Sequence, residues 1–279
     1  MTTPTHPSVI HDRRVAARQG LRPRTSSGWL AGFRNMLSKE LGEWFGTRRW
    51  IWQIIIWLLL INGFIAFILF LIPTIDPAQM EAAENPPLHI MAWTMFFSFA
   101  TIAGSIGIII MVQDEVIQEK QSGTAAWILS KPVARPAFLL SKWISNVVGG
   151  LIFIIALPAA VTVGEVFLAG QPGLPILPLL AGMAVVALTL IFYVSLVILL
   201  GVLFDQRGPV LGTAFGIMFG GMILASIVPQ IGYILPLNMD QAALTLAQGQ
   251  PLPEMAVSQL ITTAVWSFIF IIVALLRFR

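Results

Sequence analysis

Six stretches of this chain each carry roughly twenty or more predominantly apolar residues, the length a helix needs to cross about 30 Å of hydrocarbon. They run Trp50 to Ile72, Ile90 to Val112, Trp143 to Gly164, Pro178 to Phe204, Pro209 to Val228 and Val257 to Leu276. In lipid, backbone N–H and C=O groups find no water, so an open segment must satisfy them within its own helix. The sequence therefore predicts an all-α polytopic membrane protein with six transmembrane helices. At 57% hydrophobic and only 10% charged, the composition leaves no room for a soluble second domain, and residues 29–279 read as one transmembrane unit.

The basic residues orient these spans. Of the sixteen Lys and Arg residues, nine lie between Arg13 and Arg49, four between Lys120 and Lys142, one at Arg207 and two at Arg277 and Arg279, all on the same side of the predicted membrane. Loops rich in Lys and Arg resist translocation, so that side reads as cytoplasmic, with both termini there and the cell (plasma) membrane as the expected location. The opposite loops carry Asp76, Glu81, Glu84, Asp240 and Glu254 and no base. Residues 1–28 form a polar, basic tail expected to be disordered, without the apolar core of a secretory signal; Arg13 and Arg14 precede a stretch too polar for a twin-arginine signal. The net charge of +3 follows from the retained loops and requires no nucleic-acid partner. The absence of Cys excludes disulfides and thiolate metal sites.

Before the first span, Leu30, Phe33, Leu37, Leu41 and Trp44 recur every three or four residues, with Arg34, Lys39, Glu40 and Glu43 between them. This predicts an amphipathic helix over Trp29 to Phe45, lying in the cytoplasmic interface with its apolar stripe in membrane lipid or against a soluble partner.

Residues 113–143, QDEVIQEKQSGTAAWILSKPVARPAFLLSKW, form the longest polar stretch within the bundle. Gln113 to Gln121 reads as a charged extension of the second span, ended by Gly123, whose lack of a Cβ suits a left-handed helix end. Thr124 can cap a short helix over Ala125 to Leu129 that presents Trp127, Ile128 and Leu129 before Pro132 and Pro136 stop it. Exposed apolar residues flanked by charges imply a partner groove, or a bilayer surface on which the helix rests.

At these residues the chain resembles the permease subunits of type-two ATP-binding-cassette (ABC) transporters, mostly exporters, in which E-[KR]-x-x-G-T, then L-S-x-P-V-x-R and a Lys, mark the same loop. The matching letters are Glu119, Lys120, Gly123, Thr124, Leu129, Ser130, Pro132, Val133, Arg135 and Lys142. The likeness extends to the N-terminal interfacial helix, the six spans and an extended outer segment; Ala134 departs from it, where many relatives carry a small hydroxyl. The resemblance implies a coupling helix that docks into a cleft of a separate cytoplasmic ATPase. Glu119 and Arg135 would guide that dock, Gly123 and Thr124 set its angle, Trp127 and Leu129 supply its apolar tip, and Lys142 anchor the third span at the interface. ATP and Mg belong to the partner, and no cofactor is expected on this chain. Consistently, none of Lys39, Lys120, Lys131 and Lys142 follows a glycine, so no phosphate loop is present.

Gly208, Gly212, Gly216 and Gly220 place a small residue at every fourth position of the fifth span, a face that permits close helix approach. It can meet a second permease copy or another helix of its own bundle. Ala100, Gly104 and Gly107 form a shorter version in the second span. Glu165, near the outer end of the third span, reads either as a solvated edge residue or as part of a substrate path with Asn62 and Tyr193. Thr94, Ser98, Thr101, Thr162, Thr189 and Ser195 are further path candidates, although isolated hydroxyls in membrane helices more often bond their own backbone. Such sparse polarity favours an amphiphilic or apolar cargo over a hydrated ion. Between Pro229 and Glu254, the sequence predicts a short helix over Asn238 to Gln248, ended by Gly249, which resembles the outer helical cap of that transporter family.

An intramembrane enzyme needs convergent catalytic groups, and these are missing: His6, His11 and His89 form no metal pair and no single span holds two carboxylates. The chain is therefore expected not to be an enzyme by itself. The alternative to a permease is a noncatalytic scaffold of a larger membrane complex.

Overall fold

The structure, a computed structural model, describes residues 28–75, 86–124 and 133–278. It is helical, with no strand among the described residues, and six helices are long and apolar enough to cross a membrane. A short helix α1 (Phe33–Phe45) precedes the spans α2 (Arg49–Ile75), α3 (Leu88–Gln121), α4 (Arg135–Leu168), α5 (Ile176–Leu203) and α6 (Arg207–Ile227). A second short helix, α7 (Met239–Ala247), leads to the last span, α8 (Glu254–Arg277). The protein is thus a multi-pass membrane bundle. Helices α3 and α4 run past their predicted apolar stretches at the basic end; in α3 a turn over residues 113–116 separates the apolar part from the charged Ile117–Gln121 helix.

The bundle is built round α5, whose most apolar stretch is 78% buried; the corresponding stretch of α6 is only 22% buried. Wider π turns interrupt several spans, among them Leu58–Asn62 in α2, Phe99–Ala103 in α3 and Gly216–Gly220 in α6. Such turns add a residue to one turn of helix and concentrate at functional positions.

Helix α1 does not lie with its predicted apolar stripe as the main contact. Its most buried line is Met36, Glu40 and Trp44, and the partner is α4 of the same chain. Trp44 stacks on Phe153 with ring centroids 5.6 Å apart, over a notch at Gly149 where a Cβ would lie 2.5 Å from the indole. Glu40, expected among the polar residues between the apolar ones, is instead drawn inward by a base on α4.

The two glycine stripes have different fates. On α3, a Cβ at Gly104 would meet Ile154 at 2.8 Å and one at Gly107 would meet Trp57 at 2.5 Å, so this face is filled by the chain's own bundle. On α6, a Cβ at Gly208, Gly212, Gly216 or Gly220 would meet nothing within 4 Å. The second stripe is a vacant face.

Helix α7 confirms the predicted Asn238–Gln248 element, with Asn238 (φ 54°) before it and Gly249 (φ 72°) after it in left-handed conformations. It is set into the bundle at the end where the cap was expected. Met239, Ala243 and Ala247 are buried, and Gly182 of α5 allows backbone contact, a Cβ there lying 2.5 Å from the Ala243 carbonyl. The helix is sunk between α3 and α5.

Candidate functional site

The basic end of the bundle holds a cluster of charges that no local pattern in the sequence announces. Lys142, on the second turn of α4, is 2% exposed and reaches Glu40 of α1 at 3.2 Å, Glu119 of α3 at 3.0 Å and Glu115 of α3 at 3.5 Å. Lys39 adds bonds to Glu119 at 2.9 Å and Glu43 at 3.3 Å, and Arg49 of α2 approaches Glu115 at 3.7 Å. Partial burial works against the Lys39 ammonium, but the hydrogen bond to Glu119 and the fields of Glu40, Glu119 and Glu43 outweigh it and hold its pKa above the ordinary lysine value. Carboxylate oxygens of Glu40, Glu43 and Glu115 converge within 4.8 Å of one another, and Lys142, Lys39 and Arg49 supply the opposing charge. The cluster borders a cavity of about 590 Å³ that Asp114 and Thr124 also line.

Buried charges of this kind persist because each has several partners; removal of one partner strands the others. The consequence is mechanical. One ammonium joins α1 to α3 and α4, the two helices that precede and follow residues 125–132 in the chain.

Both flanks of that segment are fixed. On the entering side, Gly123 takes φ 72°, as its predicted turn role requires, and the Ser122 and Thr124 hydroxyls lie 2.8 Å apart. On the leaving side, the Ala134 N–H donates to Ala31 O at 2.9 Å, and Val133 packs against Gly32 just before α1. Trp127, Leu129 and Pro132, with the predicted short helix, lie outside the described residues.

Two roles expected of this region are revised. Glu119, read as an outward guide, is 13% exposed and turned inward onto Lys39 and Lys142. Lys142, read as an anchor at the lipid interface, is enclosed by protein. Arg135 begins α4 and is exposed. Lys120, the second letter of the motif, donates to Gly201 O, Val202 O and Phe204 O and pairs with Asp205, so it caps the negative end of α5. Arg207 pairs with Asp114 at 2.6 Å. The same end of α3 therefore also grips the α5–α6 connection.

The candidate path residues separate into two groups. Asn62, in a π turn of α2, donates to Glu165 Oε2 at 3.0 Å, to Thr162 Oγ1 at 3.1 Å and to Pro158 O at 3.1 Å. Glu165 is thus folded back along α4 and bonded to another span rather than standing alone at the edge. Tyr193 is elsewhere, buried on α5 near Thr101 and Thr189. Several isolated hydroxyls do bond their own helix, as in Thr94 to Ile90 O and Ser195 to Ile191 O.

Sequence reasoning missed Glu40, Glu115, Lys39 and Arg49 as members of one site. Glu40 looked like part of a solvated helix face, and only its spacing of four residues from Met36 and from Trp44, the line that is buried, held a signal.

A protein-family model described as "Protein of unknown function (DUF2705)" matches residues 50–279, and the chain belongs to that family. A search of curated proteins gave no match.

Proposed function

We propose that this DUF2705 protein is the permease subunit of an ATP-driven ABC transporter, an exporter of the plasma membrane with both termini cytoplasmic. A separate ATPase, which binds ATP and Mg, engages the loop between α3 and α4, and two permease copies pair across the vacant glycine face of α6. The observation that carries the reading is the clasp on that loop: the segment bearing the E-K-x-x-G-T and L-S-x-P-V-x-R letters is bracketed by a single buried charge cluster joining α1, α3 and α4.

Mechanically, nucleotide-driven closure of two ATPase subunits presses on residues 113–143. A flexible loop would absorb that displacement. Here Lys142 binds α1 and α3 to α4, Ala134 is tied to Ala31, and Lys120 is tied to the end of α5, so the displacement passes to the spans as a body. Trp127 and Leu129 provide the apolar contact, which outweighs any exposed ion pair, worth under about 1 kcal/mol.

The test is purification of the chain from native membranes in mild detergent, followed by mass spectrometry. A stoichiometric ATPase with a phosphate loop is the expected companion; recovery in another membrane assembly without one overturns the reading and leaves a scaffold. Given the ATPase, Trp127→Ala is expected to lower transport-linked ATP turnover while insertion into the membrane is unchanged.

A further inference from the structure

A second ionisable group lies among the spans, away from the charge cluster. Asp240 opens α7, and its Oδ2 accepts a hydrogen bond from Ser98 of α3 at 2.8 Å. Ser98 is ten residues along α3 from Leu88 and seventeen from Glu115, or about 15 Å and about 25 Å at 1.5 Å per residue. Asp240 is therefore carried by the sunken α7 to the depth of the membrane spans, where an ionisable side chain is costly and marks a functional site. None of the ion pairs among the described residues involves it.

The carboxylate borders a cavity of about 90 Å³ between α3, α5, α6 and the turn before α7. Its wall carries hydroxyls, including that of Tyr193, and one carboxylate, but no Lys, Arg or His. Ser105 and Thr189 already donate their hydroxyl hydrogens to Thr101 O and Val185 O, so they turn only lone pairs elsewhere. Thr101, 6% exposed in a π turn, has a hydroxyl with no hydrogen-bond partner. A carboxylate without a cationic partner, in a wall that holds no basic side chain, selects a positively charged N–H donor. The rest of the lining includes Met218 and Met222, flexible thioethers that adapt to varied apolar shapes, and Asn238 is exposed at the rim.

We propose that this cavity binds the protonated amine head of an amphiphilic amine, with Asp240 as counter-ion, Thr101 as a hydrogen-bonding partner, and the apolar body leaving past Met218 and Met222. About 90 Å³ suits a head group and not a whole amphiphile. As a substrate site the inference rests on the transporter reading above; as a binding site it stands on its own geometry.

The experiment measures binding of octylammonium, with octanol as the uncharged control, to the purified chain in lipid nanodiscs, empty nanodiscs being subtracted. Saturable octylammonium binding is expected to weaken about tenfold or more in Asp240→Asn, the loss of one charge-assisted contact, and less in Thr101→Val. Octanol should be insensitive to both. Equal octylammonium binding by the wild type and folded Asp240→Asn overturns the proposal, as does octanol binding that follows the same pattern. If Asp240→Asn is not monodisperse, Thr101→Val, which keeps the carboxylate, decides by the same criteria. The measurement uses no ATPase, so an absent ATPase with intact binding removes only the transporter, and a bound ATPase without amine binding removes only the site.

Discussion

Lys142 and Asp240 are both ionisable residues of one helical membrane bundle, and their surroundings are opposite. Lys142 is enclosed by Glu40, Glu115 and Glu119 from two other helices. Asp240 has one serine hydroxyl on one oxygen and an open cavity beside it. A charge saturated by its own protein is a fastener, because any displacement must break several charge-assisted bonds together. A charge left with unused capacity can exchange partners with a ligand. The contrast assigns rigidity to the basic end of the bundle and exchangeable chemistry to the region around α7.

The strongest way to break this contrast is Lys142→Met, which removes the buried cation and leaves Glu40 to the more exposed Lys39 beside two further carboxylates. It is expected to cost about 3–5 kcal/mol, read as the thermal unfolding midpoint of the solubilised protein. Asp240→Asn, which strands no opposite charge, should cost under about 1 kcal/mol by the same measurement. Comparable losses in the two variants would mean that Asp240 is structural too. Next in size is a test of the two kinds of glycine. Gly149→Val drives a side chain into the Trp44 indole and is expected to cost about 1–3 kcal/mol by overpacking. Gly212→Val should leave single-chain stability within about 0.5 kcal/mol but reduce pairing of two copies, measured by mass photometry in detergent. The smallest effect is expected at the rim of the cluster: Lys39 is 42% exposed, so Lys39→Ala should cost under about 1 kcal/mol after solvent screening. A cost near that of Lys142→Met would show that the rim, and not the buried ammonium, holds the clasp.

Much of this organisation was legible beforehand, for local reasons. Apolar length marks the spans, and Gly123 and Gly249 follow the end of a helical turn where a left-handed residue is needed. The α7 helix was found between its Pro and Gly boundaries. What escaped notice was non-local. Lys142 and Glu40 are 102 residues apart in the chain, and nothing near either predicts that they meet. Asp240 read as a loop acid because a short helix gives no hint of how deep it sits; Gly182, the residue that admits it, is one more small residue in a long apolar run.

By itself the sequence determined that this chain is a six-span helical membrane protein, since backbone groups in lipid must be satisfied within each helix and apolar length alone decides which segments qualify. It also marked the 113–143 loop through its local turn chemistry. Only the tertiary structure decided which charges are paired, which glycine face is filled and how far α7 enters the bundle. These are contacts between distant segments, fixed by packing and electrostatics in three dimensions and carrying no periodicity along the chain.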